Sequence, residues 1–201
     1  AVQQPFFLYM SHYAIHTPIM SDKRFLDKYL EKGLDSTEAK YASMIEGMDK
    51  SLGDIMNYLE QKNIEENTVI LFMSDNGGLS AHARGGEPHT HNAPLSSGKG
   101  SMHEGGIREP MLVKWPGKTE PESVSDYQLI IEDFYPSILE IAGIDSLRTI
   151  QKVDGESFVS ILKGEKEYNG VRPLFWHYPN EWGPTGPGIG AASAVRKGDF
   201  K

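Results

Sequence analysis

Hydrophobic and polar positions along the chain follow two different periods. Tyr41, Met44, Ile45, Met48, Leu52, Ile55, Met56 and Leu59 recur every three or four residues, which puts them on one stripe of an α-helix. Asp35 with Glu38 offers a capping-box-like start, and the predicted helix runs to about Lys62. Its methionine-rich stripe reads as core packing. Thr68-Val69-Ile70-Leu71-Phe72-Met73 is instead an unbroken β-branched and apolar run, the pattern of a strand covered on both faces. Phe6 to Met10 reads as a second buried strand. A short helix over Asp22 to Glu31 and a strand over Pro110 to Trp115 are predicted as well. So are a helix over Ile131 to Ala142 stopped by Gly143, a helical turn over Phe158 to Leu162, and strands at Leu174 to Trp176 and Ala194 to Lys201. A helix leading into a buried strand predicts an α/β fold.

In such folds ligands bind at the carboxyl ends of strands. The strand over 68–73 ends abruptly in Ser74-Asp75-Asn76-Gly77-Gly78, and a glycine-rich loop with four histidines covers about Leu79 to Arg108. Loops of that length are uncommon unless they serve a site. Asp75 and Asn76 supply a carboxylate and an amide oxygen, the donor set of a hard cation such as Ca²⁺ or Mg²⁺. The same dipeptide before glycine also makes an ordinary turn. Lys99, in Ser96-Ser97-Gly98-Lys99-Gly100, suits an ammonium aimed at an anion, or a solvated loop lysine. The spacing is not that of a phosphate-binding P-loop. His16 is a candidate proton donor or anion ligand, and His12 is its equal on local grounds. His89 and His91 have a two-ligand spacing without a third partner, while His82, His103 and His177 read as unassigned polar residues. Arg108-Glu109 reads as a structural ion pair.

Composition narrows the partners. The chain has 201 residues, a size of one domain or a little more. Twenty Lys and Arg against 28 Asp and Glu leave a net charge of −8, which argues against nucleic acid or an anionic membrane as main partner. No apolar run is long enough to span a bilayer. The chain lacks cysteine, which excludes disulfides, thiolate metal sites and a catalytic thiol within it. It runs from Ala1 almost directly into Phe6, with no initiator Met or signal peptide, and stops in what reads as the middle of a hairpin. The expectation is a piece of a longer polypeptide.

Taken in order, the short segments form a longer pattern. Phe6-Phe7-Leu8-Tyr9, His16-Thr17-Pro18, Ser74-Asp75-Asn76-Gly77-Gly78 and Pro94-Leu95-Ser96-Ser97-Gly98-Lys99-Gly100 are followed by Glu104-Gly105-Gly106-Ile107-Arg108-Glu109-Pro110 and Trp115-Pro116-Gly117. Asp133-Phe134-Tyr135-Pro136-Ser137-Ile138, Ala142-Gly143 and Asp154-Gly155-Glu156-Ser157 come after. This series resembles the formylglycine-dependent sulfatases over nearly the whole chain, closest to bacterial enzymes that desulfate carbohydrates.

The resemblance implies an alkaline-phosphatase-like mixed sheet flanked by helices. Residues 1–165 would be the second half of the catalytic domain, and 166–201 the beginning of a small carboxy-terminal antiparallel sheet. It implies hydrolysis of a sulfate ester, on a sulfated carbohydrate or an aryl sulfate, by a formylglycine held with Ca²⁺ (Mg²⁺ in second place). Asp75 and Asn76 match the two later metal ligands, and Lys99 the lysine that contacts sulfate and the leaving oxygen. His16, rather than His12, matches the histidine that binds sulfate and assists the departing alcohol. His177, in Phe175-Trp176-His177-Tyr178-Pro179, is a candidate sugar contact or a structural histidine between aromatics. The family implies a periplasmic or secreted protein. The chain also departs from the pattern. It holds no Cys or Ser-x-Pro-x-Arg nucleophile motif and no Asp-Asp pair, and Ser96 stands where many relatives carry Arg. The expectation is therefore a second half that cannot turn over sulfate esters alone. A phosphodiesterase or phosphonate hydrolase of the same superfamily is the first alternative, and a non-catalytic module that binds sulfated glycans the second.

Overall fold

The computed structural model describes residues 4–79, 92–144, 149–165, 172–181 and 186–201. His82, His89 and His91 lie outside them.

Helix α1 is Leu26–Glu31 and α2 is Ser36–Gln61. The start of α2 follows from Asp35, whose extended backbone lets its carboxylate accept from the Thr37 and Glu38 amides at 2.9 and 3.2 Å. Asn63 ends it in the left-handed region at φ 52, and the Ile64 amide returns to the Leu59 carbonyl. Within the apolar stripe Tyr41 and Leu59 are buried, whereas Ile45 and Met56 are exposed. Helix α1 packs on α2, with Lys28 paired to Glu46 at 2.6 Å.

Strand β1, Ile70–Met73, pairs antiparallel with β2, Met111–Lys114, in a register that sets Ile70 against Lys114 and Met73 against Met111. Between them, the described residues of the predicted loop include a helical turn, α3, at Glu104–Ile107. After a tight turn at Ile131–Asp133 comes α4, Phe134–Ile141, ended by Gly143 at φ 75. Helix α5 is Val159–Leu162. Strands β3, Leu174–Tyr178, and β4, Ala192–Arg196, form a second antiparallel pair. The fold is α/β, with two small antiparallel sheets among the described residues.

Two sequence expectations need correction. Phe6 to Met10 is not a buried strand: it is unpaired among the described residues, and its side chains are exposed, Tyr9 at 82%. No described segment runs alongside to take its backbone hydrogen bonds. Strand β1 is half-buried rather than covered on both faces, and Leu112 opposite Phe72 is 65% exposed.

The tightest packing lies around α4 and α5, where Phe158 and Val159 are buried and the Phe134 and Phe158 rings meet edge to face at 5.3 Å. Asp133 has no exposure, yet each hydrogen bond it can accept is supplied. The Ile130 and Glu156 amides donate at 2.9 and 2.8 Å, and Arg172 donates two bonds at 2.6 Å. A buried charge persists when it is paired and bonded in this way. Gly155 lies so close to the Glu132 carbonyl that a Cβ has no room. The Asp133 and Asp154-Gly155-Glu156 motifs thus form one structural joint.

Candidate functional site

The end of β1 and the loop carrying Lys99 are interlocked through their backbones. The Ser74 amide donates to the Pro110 carbonyl at 3.4 Å and prolongs the β1–β2 ladder by one step, so Asp75 stands across from Glu109. Ser74 Oγ donates to the Asn76 carbonyl at 2.8 Å and holds the turn. Gly77 donates to the Gly106 carbonyl at 3.1 Å, and a Cβ on Gly77 would overlap the Gly105 carbonyl. One residue on, the Lys99 amide donates to the Gly78 carbonyl at 3.0 Å. Asn92 completes the join, since its amide bonds both backbone groups of Gly78 and the Ser97 carbonyl. Asp75, Asn76 and Lys99 are thereby brought to one place. Asp75 is exposed, while Asn76 and Lys99 are half-buried. Asn92 is a site-building residue that the sequence did not single out, because an isolated Asn in a loop carries no pattern.

Glu109 overturns a third expectation. Among the described residues no ion pair joins it to Arg108. Its Oε1 is buried without a hydrogen-bond partner. Burial, and then the facing Asp75 carboxylate, push the Glu109 carboxyl up to about 7. Its position two residues before Met111 was the available signal, legible only once the strand register is known.

His16 is held on the loop over α2. Its Nδ1 donates to the Thr17 carbonyl at 2.7 Å, which fixes the proton on that nitrogen. It lines an open cavity of about 320 Å³ with His12, Tyr13, Met20, Met44 and Met48. His12 instead turns its Nε2 toward Ser51 Oγ of α2 at 3.2 Å. His177 is exposed on β3 and bonds Ser193 Oγ of β4 at 2.7 Å. It shares that face with Phe175 and Val195, opposite to the face of Arg196. His103 bonds Ser96 Oγ at 3.0 Å beside the Lys99 loop.

The donor chemistry fits a hard divalent cation. Asp75 and Glu109 face each other, Asn76 adds an amide oxygen, and one Glu109 oxygen is orphaned. The described residues contain no cluster of three or more metal-ligating His, Asp or Glu side chains, so they do not complete a coordination shell.

The chain is similar to known sulfatases. A family model described as Sulfatase matches residues 1–144, and one described as N-sulphoglucosamine sulphohydrolase, C-terminal, matches residues 97–200. The chain belongs to the sulfatase family. A sulfatase of Formosa agariphila is 38% identical over 189 residues, covering 87% of this chain and 33% of that protein. Human N-acetylgalactosamine-6-sulfatase is 32% identical over 179 residues, covering 88% of the chain and 32% of that protein. Among solved structures, Ps i-CgsB in complex with k-i-k-neocarrahexaose superposes with a TM-score of 0.79 at 27% identity, over 97% of this chain and 40% of the other. A phosphonate monoester hydrolase from Silicibacter pomeroyi, at 20% identity and a TM-score of 0.54, shares the fold. This sulfatase chain spans about a third of the length of the curated relatives it matches. These neighbours have the alkaline-phosphatase-like fold expected from the sequence. No helix among the described residues is long and apolar enough to cross a membrane.

Proposed function

We propose that this sulfatase chain supplies the metal-ligand and cation half of a site that hydrolyses sulfate esters of carbohydrates, with aryl sulfates as simpler substrates. The observation that carries the reading is the Lys99–Gly78 backbone bond, which lays the Lys99 loop against the Asp75-Asn76 turn. Asp75 and Asn76 would hold Ca²⁺, or Mg²⁺ in its place, and the ion would draw charge from the sulfate oxygens. A formylglycine from a segment beyond this chain would supply the nucleophile. Lys99 neutralises the ester's anionic oxygens and the oxygen that departs. His16, with its Nδ1–H committed to Thr17, would act as proton source from Nε2 only as the imidazolium, passing that proton to the leaving alcohol and keeping the Nδ1–H. His177 meets the sugar beyond the ester. Residues 1–165 and 166–201 act as catalytic half and small carboxy-terminal subdomain, and residues 1–201 alone turn over no sulfate ester. The family resemblance supports a periplasmic or secreted protein and a sulfated carbohydrate as partner. The relation to Ps i-CgsB, solved in complex with k-i-k-neocarrahexaose, supports the substrate class.

The test uses the full gene product with Ca²⁺, incubated with sulfated galactan oligosaccharides, 4-nitrophenyl sulfate and a phosphonate monoester. Sulfate release is read by ion chromatography. Release that falls at least about 100-fold in Lys99→Ala supports the reading. Cleavage of the phosphonate ester without sulfate release assigns the chain to the phosphonate hydrolases. Binding of the oligosaccharide with no turnover assigns a glycan-binding role.

A further inference from the structure

Lys99 sits between two layers. One side of its loop is bonded to the Asp75-Asn76 turn, and the other is gripped by the carboxy-terminal hairpin. Helix α3 is the part in the middle. The Gly105 amide donates to the Ser96 carbonyl at 2.8 Å, and Gly106 lies so close to the Gly98 and Ser101 carbonyls that a Cβ would overlap both. No side chain cushions these contacts, so any movement of α3 moves the backbone on both sides of Lys99. Glu104 is the first residue of α3. Its Oε2 meets Arg196 Nη1 and its Oε1 meets Lys201 Nζ, both at 2.8 Å, and all three side chains are roughly a quarter exposed.

A second tie is independent of charge. Ser101 Oγ donates to the Pro187 carbonyl at 2.8 Å, and the Met102 amide donates to the Gly188 carbonyl at 3.1 Å. Gly188 has φ +69, and a Cβ there would come within 2.7 Å of Ser101 Oγ and 2.8 Å of His103 Nε2. The hairpin backbone therefore approaches the Lys99 loop as nearly as glycine permits.

We propose that Glu104 is a positioning residue for Lys99, anchoring the Lys99 loop to Arg196 and Lys201 of the carboxy-terminal hairpin so that the ammonium keeps its place over the departing oxygen. This rests on the sulfatase reading given above. A lysine is a point charge on a flexible stem, so its effect on a developing negative charge depends on where its backbone is held.

The experiment is a double-mutant cycle in the full gene product with Ca²⁺, using Glu104→Gln, Lys99→Ala and the pair, with hydrogen exchange as an activity-independent readout. We expect Glu104→Gln to lower kcat about 10-fold with KM changed less than about twofold, and more for an alkyl or sugar sulfate than for 4-nitrophenyl sulfate. In the Lys99→Ala background the same change has almost no further effect. Amide exchange in the peptide spanning 96–106 rises about 10-fold in Glu104→Gln while α2 is unchanged. Arg196→Lys recovers most of what Arg196→Met loses. Additive kcat effects, or exchange at 96–106 equal to wild type, overturn the proposal. If the wild-type protein releases no sulfate, the sulfatase reading fails, and exchange in 96–106 still decides whether Glu104 holds the Lys99 loop. Should Glu104→Gln fold poorly, Lys201→Met removes one of its two partners and is read in the same way.

Discussion

Replacing Glu109 by glutamine isolates the cost of ionising a carboxyl that the fold keeps half-buried opposite Asp75. Its ordinary value of 4.5 is raised to about 7, first by burial and then by the Asp75 charge. Each pH step of that rise corresponds to ~1.4 kcal/mol, which bounds the effect at about 3 kcal/mol. Solvent still reaches part of the side chain and screens the charge, so we expect about 2 kcal/mol. The sign follows from proton linkage. The folded state holds this proton more tightly than the unfolded state. Its contribution is complete below pH 4.5, declines between 4.5 and about 7, and is lost above. Glu109→Gln cannot ionise and escapes that loss. Urea denaturation of the full gene product with chelator present, at pH 4.5, 5.5, 6.5 and 7.5, checks this. The variant should match wild type at pH 4.5 and exceed it by about 2 kcal/mol at pH 7.5. Parallel stability curves for the two proteins would refute the argument, because they would mean that Glu109 ionises as freely in the folded state as in the unfolded one.

Two further substitutions test the scaffold. Gly77→Ala forces a methyl against the Gly105 carbonyl and the Gly106 backbone, and since neither neighbour is a flexible side chain we expect about 3 kcal/mol of destabilisation. Calorimetry on the variant should also show weaker Ca²⁺ binding, since the turn holding Asp75 and Asn76 is displaced; an unchanged affinity would count against the metal assignment. Asp133→Ala removes the buried partner of the part-buried Arg172 guanidinium and of two amides, which costs about 3 kcal/mol, read as a lowered denaturation midpoint with the Phe158 environment loosened in NMR spectra.

Much of the local structure was legible. Asp35 starts α2, and the helix ends at Gln61 beside the predicted Lys62, because capping is a matter of residues two or three positions away. The Ser74-Asp75-Asn76-Gly77-Gly78 turn and the Lys99 loop were visible as punctuation at a strand end. The covering of Phe6 to Met10 was misjudged because an apolar run states a preference for burial, not the presence of a neighbour. Glu109 was misread as an ion pair because adjacency in sequence hides which way each side chain points.

The sequence alone determined α1, α2, α4 and α5, the positions of β1 to β4, the motif order that marks a sulfatase, and the candidates Asp75, Asn76, Lys99 and His16. Only the tertiary structure decided that β1 and β2 run antiparallel with Asp75 opposite Glu109. It alone joined Asp133 to Arg172 across 39 positions and Glu104 to Arg196 across 92. Helix periods, caps and turns are set by neighbours along the chain. The partner of a charge, and the burial that shifts it, depend on register and packing between distant segments, which no local pattern encodes.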